Sequence, residues 1–340
     1  MATASVSGPP DVVGHGWVLD LVQRGLEQGR LPHSLLLCGP AHVGKFTTAL
    51  AIARLLLCPQ TPPCGICRHC SLALRRVHPD LQILELPPDR RTIPLRDVHE
   101  LMHGMALRPL EAARKVYIIR GAEDLAEEGA NALLKTLEEP PPAVTLILTA
   151  PDPATLLPTI VSRCQLLGLR PAPSRAIADH LVGLGVDPAR ADRIAAVSGG
   201  RPGWAIMAAN DETLANSRSE RAQELVGLLS ASRLDRMRAA DALAERWRDH
   251  PDEVREALHA WSEVWHELLL ASSGLPEALA YSDLTGELRS VAERVSATEV
   301  QRALAATLDV ADALEWNAHP RLALEAYLLF LPRLAGQTHA

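Results

Sequence analysis

Residues 39–48 hold two glycines, a lysine and two threonines in a spacing that could bind phosphate. Gly39 and Gly44 allow the backbone N–H groups of this loop to turn inward, and Lys45 adds a positive charge. Three leucines before the loop predict a short buried strand, and residues 47–57 predict a helix. Strand, loop and helix in this order are the context that a phosphate-binding loop requires. An ordinary glycine-rich turn between a strand and a helix is the alternative.

The residue after the lysine departs from the phosphate-binding pattern. Loops of the form G-x-x-x-x-G-K-[ST] end in a hydroxyl group that binds magnesium, whereas this chain has Phe46. A phenyl ring cannot bind a metal ion, and Thr47 lies about 100° further around the helix. We therefore predict a degenerate nucleotide site, formed by Gly39, Gly44, Lys45 and Phe46. Whether such a loop still binds ATP is left open by these residues.

Four of the six cysteines lie within thirteen residues, in the pattern C-x5-C-x2-C-x2-C. They are Cys58, Cys64, Cys67 and Cys70. In a reducing compartment, four closely spaced thiolates favour tetrahedral Zn²⁺ over disulfides. Because four protein ligands leave no position for water, this zinc is predicted to be structural, in a segment that three prolines and Gly65 keep in turns. Unligated thiols, or His69 in place of one cysteine, are alternatives.

Composition limits the class of protein. A chain of 340 residues with 47% hydrophobic and 22% charged residues indicates a soluble globular protein of two or three domains. The net charge of −7 argues against nucleic-acid binding by the whole surface, so any DNA contact would be a local patch. The sequence contains no run of 18 apolar residues and no signal-peptide pattern. We therefore predict a cytoplasmic protein without a membrane contact.

The elements around these motifs change character along the chain. Strands are predicted at 81–86, 115–119 and 144–148, and helices at 12–28, 97–105 and 131–138. Alternating strands and helices imply a mostly parallel sheet that is covered on both faces. Beyond residue 172 we predict helices at 174–184, 188–198, 214–229, 234–248, 252–271, 298–313 and 321–331, with a turn at 199–203. Trp261 and Trp265, four residues apart, are predicted to lie in the core of this helical part.

Three further segments resemble a known family. Residues 131–141 are Asn-Ala-Leu-Leu-Lys-Thr-Leu-Glu-Glu-Pro-Pro, residues 162–164 are Ser-Arg-Cys, and residues 317–325 are Asn-Ala-His-Pro-Arg-Leu-Ala-Leu-Glu. Together with the phosphate loop and the cysteine insertion, they resemble the AAA+ subunits of the bacterial DNA polymerase III clamp loader. This resemblance covers nearly the whole chain.

The resemblance implies an architecture and a set of partners. It implies an α/β AAA+ core, similar to P-loop NTPases, over residues 1–170, with a parallel sheet and a zinc knuckle inserted at 58–70. It also implies a small helical lid at 171–209 and an all-α collar domain at 210–340. The partners it implies are the other loader subunits (delta and gamma/tau) in a hetero-pentameric ring, the beta sliding clamp, and primer–template DNA.

The resemblance also indicates which catalytic parts this chain lacks. ATPase members carry a magnesium-binding hydroxyl, an acidic pair after a strand, and an arginine in the lid. This chain has Phe46, Arg120-Gly121 and Pro202 at these positions, with Arg201 adjacent to the last. A cation in place of the carboxylate repels magnesium. The resemblance therefore implies a subunit that has no ATPase activity of its own.

Arg163, between Ser162 and Cys164, takes its predicted role from the resemblance. In the family this arginine reaches across the subunit interface to the nucleotide of a neighbouring ATPase subunit. A guanidinium group suits that task because it is always charged and can donate two hydrogen bonds to phosphate oxygens. A surface arginine on a turn is the alternative.

Two other functions compete with a non-hydrolysing loader subunit. One is a catalytically active ATPase subunit, similar to gamma/tau, of the same loader. The other is an independent zinc-dependent DNA-binding module, against which the net charge of −7 argues. ATP binding and hydrolysis by the isolated protein distinguish the first from a passive subunit, and DNA binding in isolation identifies the second.

Overall fold

A computed structural model of the protein describes residues 12–88, 90–272, 285–316 and 318–334. Asn317, the first residue of the motif at 317–325, lies outside the described residues. The chain forms two compact units, of which the first contains residues 12–188 and Gly200–Ile206. The second contains Ala189–Gly199 and the described residues from Met207 onward.

The first unit is built on a five-stranded parallel sheet. The strands are β1 Ser34–Cys38, β2 Leu81–Glu85, β3 Lys115–Arg120, β4 Val144–Ala150 and β5 Gln165–Gly168. Their order across the sheet is β2-β3-β4-β1-β5. The helices of this half of the chain are α1 Gly16–Glu27, α2 Lys45–Leu57, α3 Arg68–Leu74, α4 Leu95–Ala106, α5 Glu127–Glu138, α6 Pro158–Val161 and α7 Ser174–Gly183.

Alternate residues of each central strand face two separate cores. In β1, Leu35 and Leu37 join the core that includes α1 and α2, whereas Leu36 joins the core that includes α4 and α5. Every residue of β1 and β4 is buried. A strand covered on both faces appears in the sequence as a continuous apolar run. This explains why the apolar runs predicted these strands correctly, and the parallel α/β class is confirmed.

Three local predictions need correction. Helix α1 begins at Gly16 rather than at residue 12, because Gly14 has a φ of +78° and its Cα packs against Ala172. The cysteine segment is irregular only as far as Cys67, whose side chain accepts a hydrogen bond from the Cys70 N–H and caps α3. The turn predicted at 199–203 ends early, since the next helix already begins at Pro202.

The rest of the described chain is helical. The helices are α8 Pro188–Val197, α9 Pro202–Asn210, α10 Glu212–Ser230, α11 Arg233–Asp249, α12 Pro251–Ser272, α13 Thr285–Arg294, α14 Ala297–Glu315 and α15 Pro320–Phe330. Trp261 and Trp265 of α12 are fully buried, as predicted, and the Trp261 ring stacks on Tyr327 of α15. Within the described ranges, no helix is long and apolar enough to cross a membrane.

Candidate functional site

The phosphate-type loop connects β1 to α2, as the sequence predicts. Gly44 precedes the first turn of α2 with a φ of +106°, a conformation that favours glycine. A Cβ atom at Gly39 would clash with the carbonyl oxygen of Leu169, so only glycine fits at this position. The loop therefore has the backbone of a phosphate-binding turn, at the carboxyl end of a central strand.

Lys45 is turned back onto its own loop. Its Nζ donates hydrogen bonds to the carbonyl oxygens of Gly39 at 2.5 Å and Pro40 at 2.9 Å. Burial lowers the pKa of Lys45, and the nearby carboxylate of Glu123 acts in the opposite direction. The lysine charge that would hold a phosphate group is therefore already engaged by two backbone carbonyls.

Phe46 contributes an aromatic ring to the region where a magnesium ion would need oxygen ligands. The guanidinium carbons of Arg76 and Arg120 lie 4.6 Å and 4.9 Å from the ring centroid, within the range of cation–π contacts. Arg120 also forms an ion pair with Glu85, with a distance of 3.0 Å between Nη1 and Oε2. A phenyl ring with two guanidinium groups beside it thus stands at the position where the phosphate-binding pattern has a hydroxyl group.

A cavity of about 600 Å³ opens beside this loop. Glu85 and Arg120, at the carboxyl ends of β2 and β3, line it together with Glu123 and Asp124, which follow in a short 3₁₀ turn. Burial raises the pKa of Glu123 and that of Asp124. These two carboxyl groups, in the turn after β3, therefore stand in the wall of the cavity.

The segment at residues 200–206 closes one side of the same loop. The backbone N–H of Gly203 donates to the carbonyl oxygen of His42 at 2.9 Å, and a Cβ atom at Gly203 would lie 3.0 Å from that oxygen. Burial lowers the pKa of His42, and the positive charges of Arg201, Lys45 and Arg120 lower it further. Pro202 itself begins α9 and offers no charge, whereas the adjacent Arg201 is the cation that acts on the loop.

The four predicted zinc ligands lie together. The sulfur atom of Cys58 is 3.8 Å from that of Cys64 and 3.8 Å from that of Cys67, and all four sulfurs lie within 4.8 Å of one another. Four sulfurs bound tetrahedrally at a Zn–S distance of about 2.3 Å are separated by about 3.8 Å. Two of the sulfur–sulfur distances therefore match this spacing, and none exceeds 4.8 Å.

Backbone N–H groups point at these sulfurs. The N–H groups of Cys67 and Ile66 lower the pKa of the Cys64 thiol to about 6. Burial raises the pKa of the Cys70 thiol to about 12, so this sulfur needs a bound cation to remain a thiolate at neutral pH. The cluster therefore fits a metal dication, which would supply structural cross-linking between the end of α2 and α3.

His69, the alternative zinc ligand, is engaged elsewhere. The buried His78 accepts a hydrogen bond from the Asp80 N–H at its Nδ1, so its Nε2 carries the proton and donates to Nδ1 of His69 at 2.8 Å. The lone pair of His69 Nδ1 is therefore engaged in this hydrogen bond, and Glu111, which lies beside the two histidines, is ion-paired with Arg68. The two histidines thus connect α3 to the segment before β2 by a hydrogen bond.

Arg163, the predicted arginine finger, lies just after α6 with its side chain one-third exposed. Its Nη2 is 2.5 Å from Oε1 of Glu138, the last residue of α5. Its Nη1 donates to the carbonyl oxygen of Thr159 at 3.0 Å and to Oγ of Ser162 at 3.3 Å. The sequence interpretation did not foresee the contact with Glu138, because 25 residues separate the two positions.

Comparison with known proteins relates this geometry to a family. The family described as "DNA polymerase III, delta subunit" matches residues 14–173. DNA polymerase III subunit delta′ of Bacillus subtilis is 28% identical over 319 residues, which span 92% of this chain and 95% of that protein. The delta′ subunit of Pseudomonas aeruginosa is 34% identical over 225 residues, which span 64% of this chain and 66% of that protein. DNA polymerase III subunit tau/gamma of Haemophilus influenzae is 36% identical over 174 residues, but this chain spans only 25% of its length.

Proposed function

The chain belongs to the family of DNA polymerase III delta′ subunits, and from this premise we propose that it is a non-hydrolysing subunit of the replicative clamp loader. In this function it helps to load the sliding clamp onto primed DNA. It also supplies Arg163 to the nucleotide site of a neighbouring ATPase subunit. The part of the proposal that concerns hydrolysis rests on the environment of Phe46.

The environment of Phe46 supports a site that cannot hydrolyse ATP. Hydrolysis of a nucleoside triphosphate needs a magnesium ion on the phosphates and a carboxylate that orients or activates water. Here the Phe46 ring has no oxygen to offer, and the Arg120 guanidinium, 4.9 Å from the ring centroid, repels a dication. Lys45 is occupied by loop carbonyls. Each of these features alone weakens magnesium–ATP binding, and all three residues line the same cavity.

The proposed role of Arg163 follows from its chemistry and its exposure. A planar guanidinium group can donate two hydrogen bonds to a phosphate and stabilises charge that develops during phosphoryl transfer. The Arg163 side chain is one-third exposed just after the short helix α6, so a partner can reach it. Because its own subunit lacks a competent magnesium site, the nucleotide that this arginine serves belongs to a neighbour.

The proposal includes the architecture and partners of a clamp loader. It divides the chain into a AAA+ core at 1–170, a helical lid at 171–209 and a collar at 210–340. The partners are the delta and gamma/tau subunits in a hetero-pentameric ring, the beta sliding clamp, and primer–template DNA held within the assembly. A structural zinc ion at the four cysteines and a cytoplasmic location complete it.

Isolated protein is expected to show no magnesium-dependent ATP hydrolysis, and Phe46→Thr alone is expected not to restore it. The new hydroxyl could bind magnesium, but Arg120 and Gly121 would still replace the acidic pair. Calorimetry with ATP and magnesium measures binding, and a phosphate-release assay measures hydrolysis.

The rival function, an active ATPase subunit, is favoured by Glu123 and Asp124 in the cavity wall. Turnover by the wild-type protein that Lys45→Ala abolishes would establish that rival.

Arg163→Ala is expected to lower the ATPase rate of the reconstituted loader several-fold, while leaving assembly intact. The residual rate would come from sites that do not use this arginine. Steady-state phosphate release with clamp and primed DNA gives the rate, and gel filtration gives the assembly state. Arg175→Ala is a matched control, because Arg175 is an exposed arginine of the same unit that pairs with Asp179 of its own helix. Unchanged turnover in the Arg163 variant would refute the proposed role.

A further inference from the structure

The carboxylate of Glu138 accepts the shortest of the hydrogen bonds that the Arg163 guanidinium donates. The Nη2–Oε1 distance of 2.5 Å makes this a charge-assisted hydrogen bond between opposite charges. The two other acceptors of Arg163, the Thr159 carbonyl and the Ser162 hydroxyl, are neutral. The only charged partner of Arg163 in the described structure is therefore Glu138, from the end of another helix.

This ion pair opposes any contact between Arg163 and a phosphate group. The carboxylate occupies a donor of the guanidinium and repels an approaching triphosphate. Binding of the arginine to a phosphate through Nη2 thus competes with Glu138 for this atom. Release of this atom by Glu138 is feasible because the side chains of the pair are 33% and 52% exposed, and exposed ion pairs are weak.

The position of Glu138 in its helix indicates that the residue does not stabilise α5. A carboxylate in the last turn of a helix lies beside the negative end of the helix dipole, which is unfavourable. Glu138 is the final residue of α5, and its contact with Arg163 offsets this unfavourable charge. Removal of its charge is therefore expected to be tolerated by the fold.

We propose that Glu138 restrains Arg163 when the subunit is not engaged with a neighbour's nucleotide, and that engagement exchanges the carboxylate for a phosphate oxygen. Glu138 is in this sense a regulatory positioning residue, which acts through Arg163. This inference rests on the proposed function of Arg163. It adds a restraint within the same chain that keeps the neighbouring site slow in the loader that has not yet bound clamp and DNA.

The test uses Glu138→Gln in the reconstituted loader, without clamp or DNA. Glutamine keeps a hydrogen-bond acceptor of similar shape but removes the negative charge. We expect the basal ATPase rate to rise roughly twofold to fivefold, which is the range that an exposed ion pair can account for. The increase is expected in kcat at saturating ATP, with a smaller decrease in KM. Glu139→Gln, a change of the adjacent exposed glutamate, is the matched control and should leave both parameters unchanged.

The double variant Glu138→Gln/Arg163→Ala separates the two proposals. If Glu138 acts through Arg163, the double variant has the rate of Arg163→Ala, and the increase disappears. A basal rate that is unchanged or lower in Glu138→Gln, while Arg163→Ala still slows the loader, would overturn the restraint and leave the finger in place. If Arg163→Ala has no effect, both the finger and the restraint are refuted.

Discussion

Replacement of Arg236 by methionine is expected to lower the free energy of unfolding of the second unit by about 3–5 kcal/mol. Arg236, in the first turn of α11, is 1% exposed. Its three guanidinium nitrogens donate five hydrogen bonds, each to a backbone carbonyl oxygen, at 2.7–3.1 Å. The acceptors are Leu228, Leu229, Leu328, Leu331 and Pro332.

The position of these carbonyls explains the size of the effect. They lie at the carboxyl ends of α10 and α15, where the last carbonyl groups of a helix have no partner within it and carry partial negative charge. One buried cation satisfies both helix ends. Methionine fills a similar volume but donates no hydrogen bond, so five carbonyls would be left without this donor in a place that excludes water. Burial lowers the pKa of Arg236, although an arginine remains charged at any ordinary pH.

Urea denaturation followed by tryptophan fluorescence measures this prediction, because Trp261 and Trp265 are buried in the same unit. Arg236→Lys is expected to fall between the wild type and the methionine variant, since an ammonium group keeps the charge but has only three donors. Arg238→Met is the matched control. Arg238 is 70% exposed, and its loss should change stability by less than about 0.5 kcal/mol. Equal stability of the Arg236 and Arg238 variants would contradict the role of Arg236.

Arg236 also illustrates what could not be predicted from the sequence. Its three acceptors at and just after the end of α15 lie more than 90 residues further along the chain, and lysine and arginine together number 34. Nothing in the local pattern distinguishes this arginine from those on the surface. The sequence likewise did not predict the contact of Arg76 with the Phe46 ring, because the two residues are distant in sequence and meet only in the folded chain.

Features formed by residues that lie close together in the sequence were predicted well. The phosphate loop has its strand, its glycines and its helix within about twenty residues, and all of them lie where the pattern places them. The cysteine spacing likewise predicted a cluster that the structure assembles. Strand β5 was missed because it has only four residues and its burial is confined to one of them. An edge strand with few apolar positions leaves a weak signal in the sequence.

The second large effect concerns the metal. Purified protein is expected to hold one zinc ion per chain at its four cysteines, and Cys70→Ser is expected to lose it. Structural zinc sites bind with about 10–16 kcal/mol of apparent free energy at neutral pH, which ligand loss largely removes. Cys70 is fully buried in α3, and Cys58 ends α2, so the metal would join two helices. Without it, we expect residues 58–74 to become sensitive to protease.

Elemental analysis gives the zinc content, and chelator-induced release monitored by a colorimetric zinc indicator gives the affinity. Cys164→Ser is the matched control, because Cys164 lies outside the cluster and should keep the metal. His69→Ala should also keep it, since the structure engages that ring with His78. Protons compete with zinc for the sulfurs, so release should become easier as the pH falls. Full zinc content in Cys70→Ser, or loss of zinc in His69→Ala, would show that the ligand set is not the four cysteines. If protein depleted of zinc still assembles into an intact loader, the cysteine segment at 58–70 folds through its own hydrogen bonds and does not need the metal.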